Sequence, residues 1–251
     1  MSKGIIYIVA GKQYIEEACQ SASSVKKYMP DVSITIFCDQ HIKSKYFDNC
    51  IILENNYYTE NSYNFLDKVI NIGRTPYQYT LYLDSDTYIC ADISEMFDLL
   101  DKFDIAGSHS PGRISSLSCY QIQGVPESFA QLNAGVILFK KTSLIDEFFN
   151  NWLELYKRDL EAFDSLRKLG RSEGIKFPQD QPSLRESLYK SSLRIATLPS
   201  EYNCRFIFPC YVSREVKILH GRHPNLQEVA HEINKTIKKR VFVPNLGIIT
   251  T

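Results

Sequence analysis

Apolar positions in this chain alternate between continuous short runs and helically spaced sets. Gly4 to Ala10 is a short apolar run closed by Gly11. Residues 14–28 then place Ile15, Ala18, Cys19, Ala22, Val25 and Tyr28 on one helical face, until Pro30 stops the pattern. Val32 to Cys38, ending at Asp39, reads as a second strand, and Cys50 to Leu53 as a third. Residues 63–72 return to helical spacing and lead through Pro76 into the run Tyr-Thr-Leu-Tyr-Leu at 79–83. A strand half-exposed to water alternates apolar with polar, whereas unbroken runs fit strands covered on both faces. The strand–helix–strand–helix–strand order therefore predicts an α/β fold, a mainly parallel central sheet flanked by helices. Right-handed crossovers then align Ala10, Asp39 and Asp84 along one edge, where open α/β sheets hold their ligands.

The second half is less regular. Phe103 to Gly107 predicts a short strand, and residues 108–130 a loop containing Ser, Gly and Pro. Leu132 to Phe139 reads as a strand entered through Asn133-Ala134-Gly135, small residues that would let a ligand approach the backbone. Residues 143–168 form a long amphipathic helix carrying Leu144, Phe148, Trp152, Leu155, Tyr156 and Leu160. A polar loop precedes a helix at 180–190, and Leu193 to Leu198 and Val216 to Leu219 read as strands. With no repeat, low-complexity stretch or linker, residues 1–251 are expected to form a single domain.

The candidate chemistry is concentrated at Asp84-Ser85-Asp86, where the apolar run breaks. Two carboxylates this close repel one another and are costly to bury unless they share a cation. A divalent ion that also carries phosphate oxygens meets that need, because carboxylates and phosphates are both hard ligands. A solvated Asp-rich turn is the bland alternative. Composition narrows the rest. Twenty-nine basic and 29 acidic residues cancel, so no global field points to nucleic acid or to an anionic bilayer. The 44% hydrophobic content is ordinary for a globular protein. Seven cysteines without a C-x-x-C pair fit reduced thiols in a cytoplasmic protein, not a disulfide framework or a zinc site. The opening MSKGIIYIVAGKQY is too short in apolar length for a signal peptide.

Taken in order, the segments YIVAGKQY, LDSD, LNAGVILF, FPQDQPSL, LPSEYN and ILHG resemble those of the GT-A fold glycosyltransferases. The resemblance is strongest to glycosyltransferase family 8, the glycogenin-like and bacterial galactosyltransferase-like group, and it spans roughly residues 5–223. It implies a nucleotide-binding half over 1–90 and a half for donor sugar and acceptor over 91–251 within one glycosyltransferase domain. It implies Mn²⁺ (or Mg²⁺) held by Asp84, Asp86 and His220, with a UDP-sugar as donor, a glycan, lipid-linked glycan or protein as acceptor, and retention of configuration. Ala10, Gly11 and Tyr14 match the loop that reads the base, Asp39 the base or ribose contact, and Lys68 the nucleotide phosphates or base, with Ser85 a further candidate contact to the donor. Asn133, Ala134, Gly135, Asp180 and Gln181 match the donor-sugar side, with Asp180 and Gln181 nearest the anomeric carbon; Asp180 also suits a helix cap. Gly221 and Arg222 follow the metal histidine. There the chain departs from the family, which continues to Lys-Pro-Trp where this chain reads His220-Gly221-Arg222-His223-Pro224-Asn225. Arg222 and His223 are the candidates for the missing diphosphate clamp.

Other aspartate-pair or nucleotide-binding readings lack their own signals. A haloacid-dehalogenase-type phosphatase wants its aspartates near the N-terminus, a Rossmann dehydrogenase wants G-x-G-x-x-G after the first strand, and a nucleotidyltransferase wants a Gly-rich basic loop there. A catalytically inactive nucleotide-sugar-binding module remains as the non-enzyme alternative. The stretch 231–245, with Lys235, Lys238, Lys239 and Arg240 beside Ile237, Val241, Phe242 and Val243, is the place where the protein would touch an anionic membrane surface. The bland alternative is a helix end and a strand docked on the domain.

Overall fold

The computed structural model describes residues 1–54, 65–110, 124–171 and 178–250. Its first half follows the order β1 (Lys3–Val9), α1 (Lys12–Tyr28), β2 (Ser33–Cys38), β3 (Asn49–Ile52), α2 (Leu66–Asn71), β4 (Tyr79–Leu83) and β5 (Thr87–Ile89). A 3-10 segment over Ser94–Asp101 leads to β6 (Ile105–His109), β7 (Leu132–Lys140), α3 (Ser143–Lys168), α4 (Gln181–Lys190) and β8 (Ile195–Leu198). The last part comprises β9 (Cys210–Val212), β10 (Ile218–His220), α5 (Leu226–Ile233), β11 (Arg240–Val243) and β12 (Gly247–Thr250). Residues 63 and 64 of the expected second helix, Cys119, and most of the expected loop over 108–130 lie outside the described residues.

Seven strands form the central sheet in the order β3-β2-β1-β4-β7-β6-β8. Only β7 among them runs against its neighbours, pairing antiparallel with both β4 and β6. The reversal matters for the site. A strand running backwards starts where the others end, so Asn133-Ala134-Gly135 lies at the same edge as Asp84. The sheet is covered on both faces, and β1 shows why its run is continuous. Ile5, Tyr7 and Val9 pack with Ala18, Ala22 and Val25 of α1, while Ile6 and Ile8 share the opposite core with Phe148, Trp152 and Tyr156 of α3. Both faces of the strand are dry, so both periods are apolar.

Two small sheets extend the fold. β10 pairs with β5 antiparallel, placing His220 opposite Thr87. β9, β11 and β12 form a three-stranded sheet over a third core containing Cys204, Phe206, Val212 and Ile233. Arg240, counted above among candidate membrane-facing cations, is fully buried there. Its guanidinium donates to the carbonyls of Ile233 (2.8 Å) and Lys238 (3.0 Å) and to Asn234 Oδ1 (3.2 Å). No helix among the described residues is long and apolar enough to cross a membrane. Six of the seven cysteines are described, all as free thiols, with Cys38 Sγ 3.5 Å from Cys50 Sγ and Cys204 Sγ 3.3 Å from Cys210 Sγ.

Candidate metal and donor site

Asp84 follows the last residue of β4, and its backbone N–H donates to the Gly135 carbonyl of β7 (2.8 Å). Asp86 sits two residues on, with its carbonyl accepting from Gly221 N (2.9 Å). His220 ends β10. The β4–β7 and β5–β10 pairings thus bring a carboxylate, a second carboxylate and an imidazole together, with ligand atoms all within 4.8 Å of one another. His220 Nε2 lies 3.5 Å from Asp86 Oδ1 and 3.8 Å from Asp84 Oδ2. Gly135 fits this packing because a Cβ there would run into both the Asp84 carboxylate and the His220 ring. Two hard oxygens and an imidazole suit a divalent ion.

A chain of amides fixes which nitrogen of His220 faces that space. The Gly135 backbone N–H can only donate, and it donates to Asn133 Oδ1 (3.0 Å). Asn133 Oδ1 also accepts from Asn203 Nδ2 (2.8 Å), which turns Asn203 Oδ1 toward the imidazole. His220 Nδ1 then donates to Asn203 Oδ1 (2.8 Å). This leaves Nε2 to the carboxylates, the arrangement in which a histidine is oriented by its outer partner for ligation. Asn133 Nδ2 in turn donates to Gln181 Oε1 (2.9 Å), so Asn133, Gln181, Asn203 and His220 form one buried network.

Lys68 and Asp180 add a buried ion pair beside it. Lys68 Nζ lies 2.7 Å from Asp180 Oδ2 and 3.5 Å from Asp84 Oδ1, with side chains only 6% and 4% exposed for Lys68 and Asp180. Burial works against the charge on Lys68, yet the carboxylates of Asp180 and Asp84 hold its pKa above the usual lysine value. Burial pushes the Asp180 carboxyl up against the pull of Lys68. Asp180 does stand at the cap position of α4, but its side chain makes no cap hydrogen bond. It points to Lys68 instead, which corrects the capping reading. Lys68, expected at the phosphates or base, is engaged by the carboxylates of Asp180 and Asp84.

On the α1 side, Gly11 adopts φ 91°, a conformation only glycine takes without strain, and its N–H donates to Asp39 Oδ2 (2.9 Å). Asp39 therefore ties the loops after β1 and β2 together, and neighbouring Ala10 is buried. Arg222 donates to Glu17 through Nε (3.0 Å) and Nη2 (3.3 Å), approaches Asp86 Oδ2 (3.7 Å), and stacks 5.3 Å from the Tyr14 ring centroid. Ser85 Oγ donates to Glu17 Oε2 (2.8 Å). A cavity of 260 Å³ opens here between Gln13, Glu17, Ser85, Asp86 and Arg222. Burial acts to raise the Asp86 carboxyl, but His220 and then Arg222 hold it below the usual carboxylate range.

Reading the sequence missed Tyr82, Glu17 and the role of Asn203. Tyr82 OH donates to Asp84 Oδ1 (2.5 Å); the period of two along β4 places both on one face, a signal that was available. Nothing local marks Glu17.

Comparison with solved structures finds the same architecture. The galactosyltransferase LgtC, solved in complex with donor and acceptor sugar analogs, superposes with a TM-score of 0.54 at 14% identity, covering 88% of this chain and 87% of that one. The fold is that of the GT-A glycosyltransferases. Mouse xyloside xylosyltransferase 1 gives a TM-score of 0.54 at 12% identity over 88% of this chain and 98% of its own. The glycosyltransferase GlyE of Streptococcus pneumoniae TIGR4 gives 0.53 at 18% identity over 94% and 61%. No protein-family model and no curated protein matches the sequence.

Proposed function

We propose that this protein is a metal-dependent glycosyltransferase that moves a sugar from a nucleoside-diphosphate sugar, by resemblance a UDP-sugar, to a glycan or glycoconjugate acceptor. The observation that carries the reading is the Asp84–Asp86–His220 cluster at the ligand-bearing edge of a GT-A sheet. A divalent ion held there would neutralise charge on the departing nucleoside diphosphate. Around it, Gly11, Asp39 and Tyr14 form the side where a base would lie, and Asn133, Gln181 and the Lys68–Asp180 pair form the opposite, sugar-facing side. Gln181 is held by Asn133 and Asp180 by Lys68, and fixed polar groups of this kind are what electrostatic catalysis depends on.

Calorimetry with UDP and Mn²⁺, alone and together, tests the reading: tight binding is expected only when both are present. Asp86→Ala should abolish sugar transfer while the chain still folds, at some cost in stability, because His220 and Arg222 lose the carboxylate they face. Tight UDP binding that ignores the metal would overturn the role given to Asp84 and Asp86. Metal-dependent hydrolysis of the sugar nucleotide separates an enzyme from an inactive binding module. Retention is expected, and the proton NMR signal of the product's anomeric centre decides it; an inverting outcome would require a carboxylate base, for which Asp180 is the candidate.

A further inference from the structure

Arg205 follows the network that orients His220 by two residues. Cys204, between Asn203 and Arg205, is laced to β10, donating to the Ile218 carbonyl (2.8 Å) and accepting from His220 N (2.9 Å). The loop beyond it lies directly on Gly221, where an added Cβ would stand 2.8 Å from Ile207 Cγ2. Arg205 is therefore fixed to the strand that carries the histidine. Its guanidinium stacks 4.8 Å from the Phe208 ring centroid. Its Nε is buried without a hydrogen-bond partner, and the guanidinium forms no ion pair among the described residues. Burial depresses its pKa, and the charges that act on it are the carboxylates of Asp84, Asp86 and Asp180.

That state is unusual for a half-buried cation. Withdrawing a guanidinium from water without supplying acceptors is costly, and other arginines of this chain do not bear that cost. Arg158 holds Asp159 and Glu186, Arg185 holds two carbonyls, and Arg240 holds three acceptors. The two residues expected to replace the lost diphosphate clamp already have partners. Arg222 is shared between Glu17, the Tyr14 ring and Asp86 (3.7 Å), and His223 Nδ1 accepts from Asn225 N (3.0 Å).

We propose that Arg205 is the diphosphate clamp, binding the terminal phosphate of the donor from the loop after Asn203 in place of a basic residue after His220. The inference rests on the glycosyltransferase reading above. Lys68 and one divalent ion would balance the three carboxylates, and Arg222 is offset by Glu17, so a bound diphosphate would bring charge for which Arg205 is the cation without an anionic partner among the described residues. A planar, forked donor suits phosphate oxygens. When the bond between the anomeric carbon and the terminal phosphate breaks, its electron pair stays on the phosphate oxygen. The acceptor hydroxyl oxygen bonds to that carbon, and its proton passes to the departing phosphate. Arg205 then faces charge that grows as the bond breaks, where a fixed donor helps most.

Calorimetric titration of UDP and of UMP, each with Mn²⁺, into wild type, Arg205→Gln and Arg205→Lys tests this without turnover. Loss of the clamp should weaken UDP binding roughly 10- to 100-fold and leave UMP, which lacks the terminal phosphate, unchanged. Arg205→Lys should fall between the two and serves as the test if the Gln variant does not fold. The melting temperature of Arg205→Gln should not fall, since no protein hydrogen bond is lost and a buried charge without an acceptor is removed. Equal losses for UDP and UMP would overturn the assignment, and so would unchanged UDP binding, including the case where only the KM for an acidic acceptor rises. Wild type that fails to bind UDP with Mn²⁺ would instead overturn the glycosyltransferase reading, and the clamp with it.

Discussion

Gly135 governs the site by what it lacks and by what it donates. Its missing side chain admits the Asp84 carboxylate and the His220 ring, and its N–H starts the amide chain that sets the imidazole. Gly135→Ala should displace the far ends of two ligand side chains while sparing the strand. We expect metal-dependent UDP binding to fall at least tenfold with a small loss of melting temperature, read by calorimetry and thermal denaturation in parallel. A large melting loss with unchanged binding would contradict it. At this scale the sequence was legible where residue type alone narrows the chemistry. Asp84-Ser85-Asp86 after an apolar run points to a cation whatever surrounds it. Asp180 was not legible in the same way, because cap and ion-pair roles begin from the same residue, and only the position of Lys68 decides between them. Arg205 gave no signal at all, since its significance is the absence of a partner.

Among the elements, long periodic ones were predicted nearly to the residue. The helix expected over 143–168 is Ser143–Lys168, and that expected over 14–28 is Lys12–Tyr28. Strands of three or four residues carry too few side chains to establish a period: β3, β8 and β10 were read from short apolar runs and β11 only as one of two alternatives, while β5, β9 and β12 were not read at all. The reversal of β7 was not foreseen either, since strand direction depends on a connection and not on the strand. One helix pair has a pH consequence. Asp159 of α3 is fully buried against Arg158 and against Glu186 of α4, and burial holds its carboxyl up at about 6. Between about pH 4 and 6 the native protein then keeps a proton that the unfolded chain has released. Stability from this group is present below that window and lost as pH rises through it. Asp159→Asn should therefore gain on wild type by up to roughly 3 kcal/mol across the window. Urea denaturation at pH 4, 5, 6 and 7 reads the difference; a constant gap between variant and wild type would refute it.

Over the whole molecule, the last strands are joined to the body and do not form a loose basic tail. Arg240 is internal and Lys235 is paired with Glu232 at 2.5 Å, so the cluster does not present its basic residues as one free cationic face. We expect no salt-sensitive flotation with vesicles containing anionic lipid; binding that weakens with salt would restore the membrane reading. Arg240→Ala should be costly, on the order of 1–3 kcal/mol, because it strips the partner from the buried Ile233 carbonyl. The β5–β10 pairing carries a further consequence. Two candidate ligands come from the first third of the chain and the third from near its end, so only the assembled chain presents all three. An ion that binds the native state and not the unfolded one stabilises it by mass action, about 1.4 kcal/mol for each tenfold rise in free ion above its dissociation constant. Melting temperature should thus climb with the logarithm of Mn²⁺ concentration, and a chelator should lower it, so a thermometer alone would register whether the two ends of this polypeptide have met.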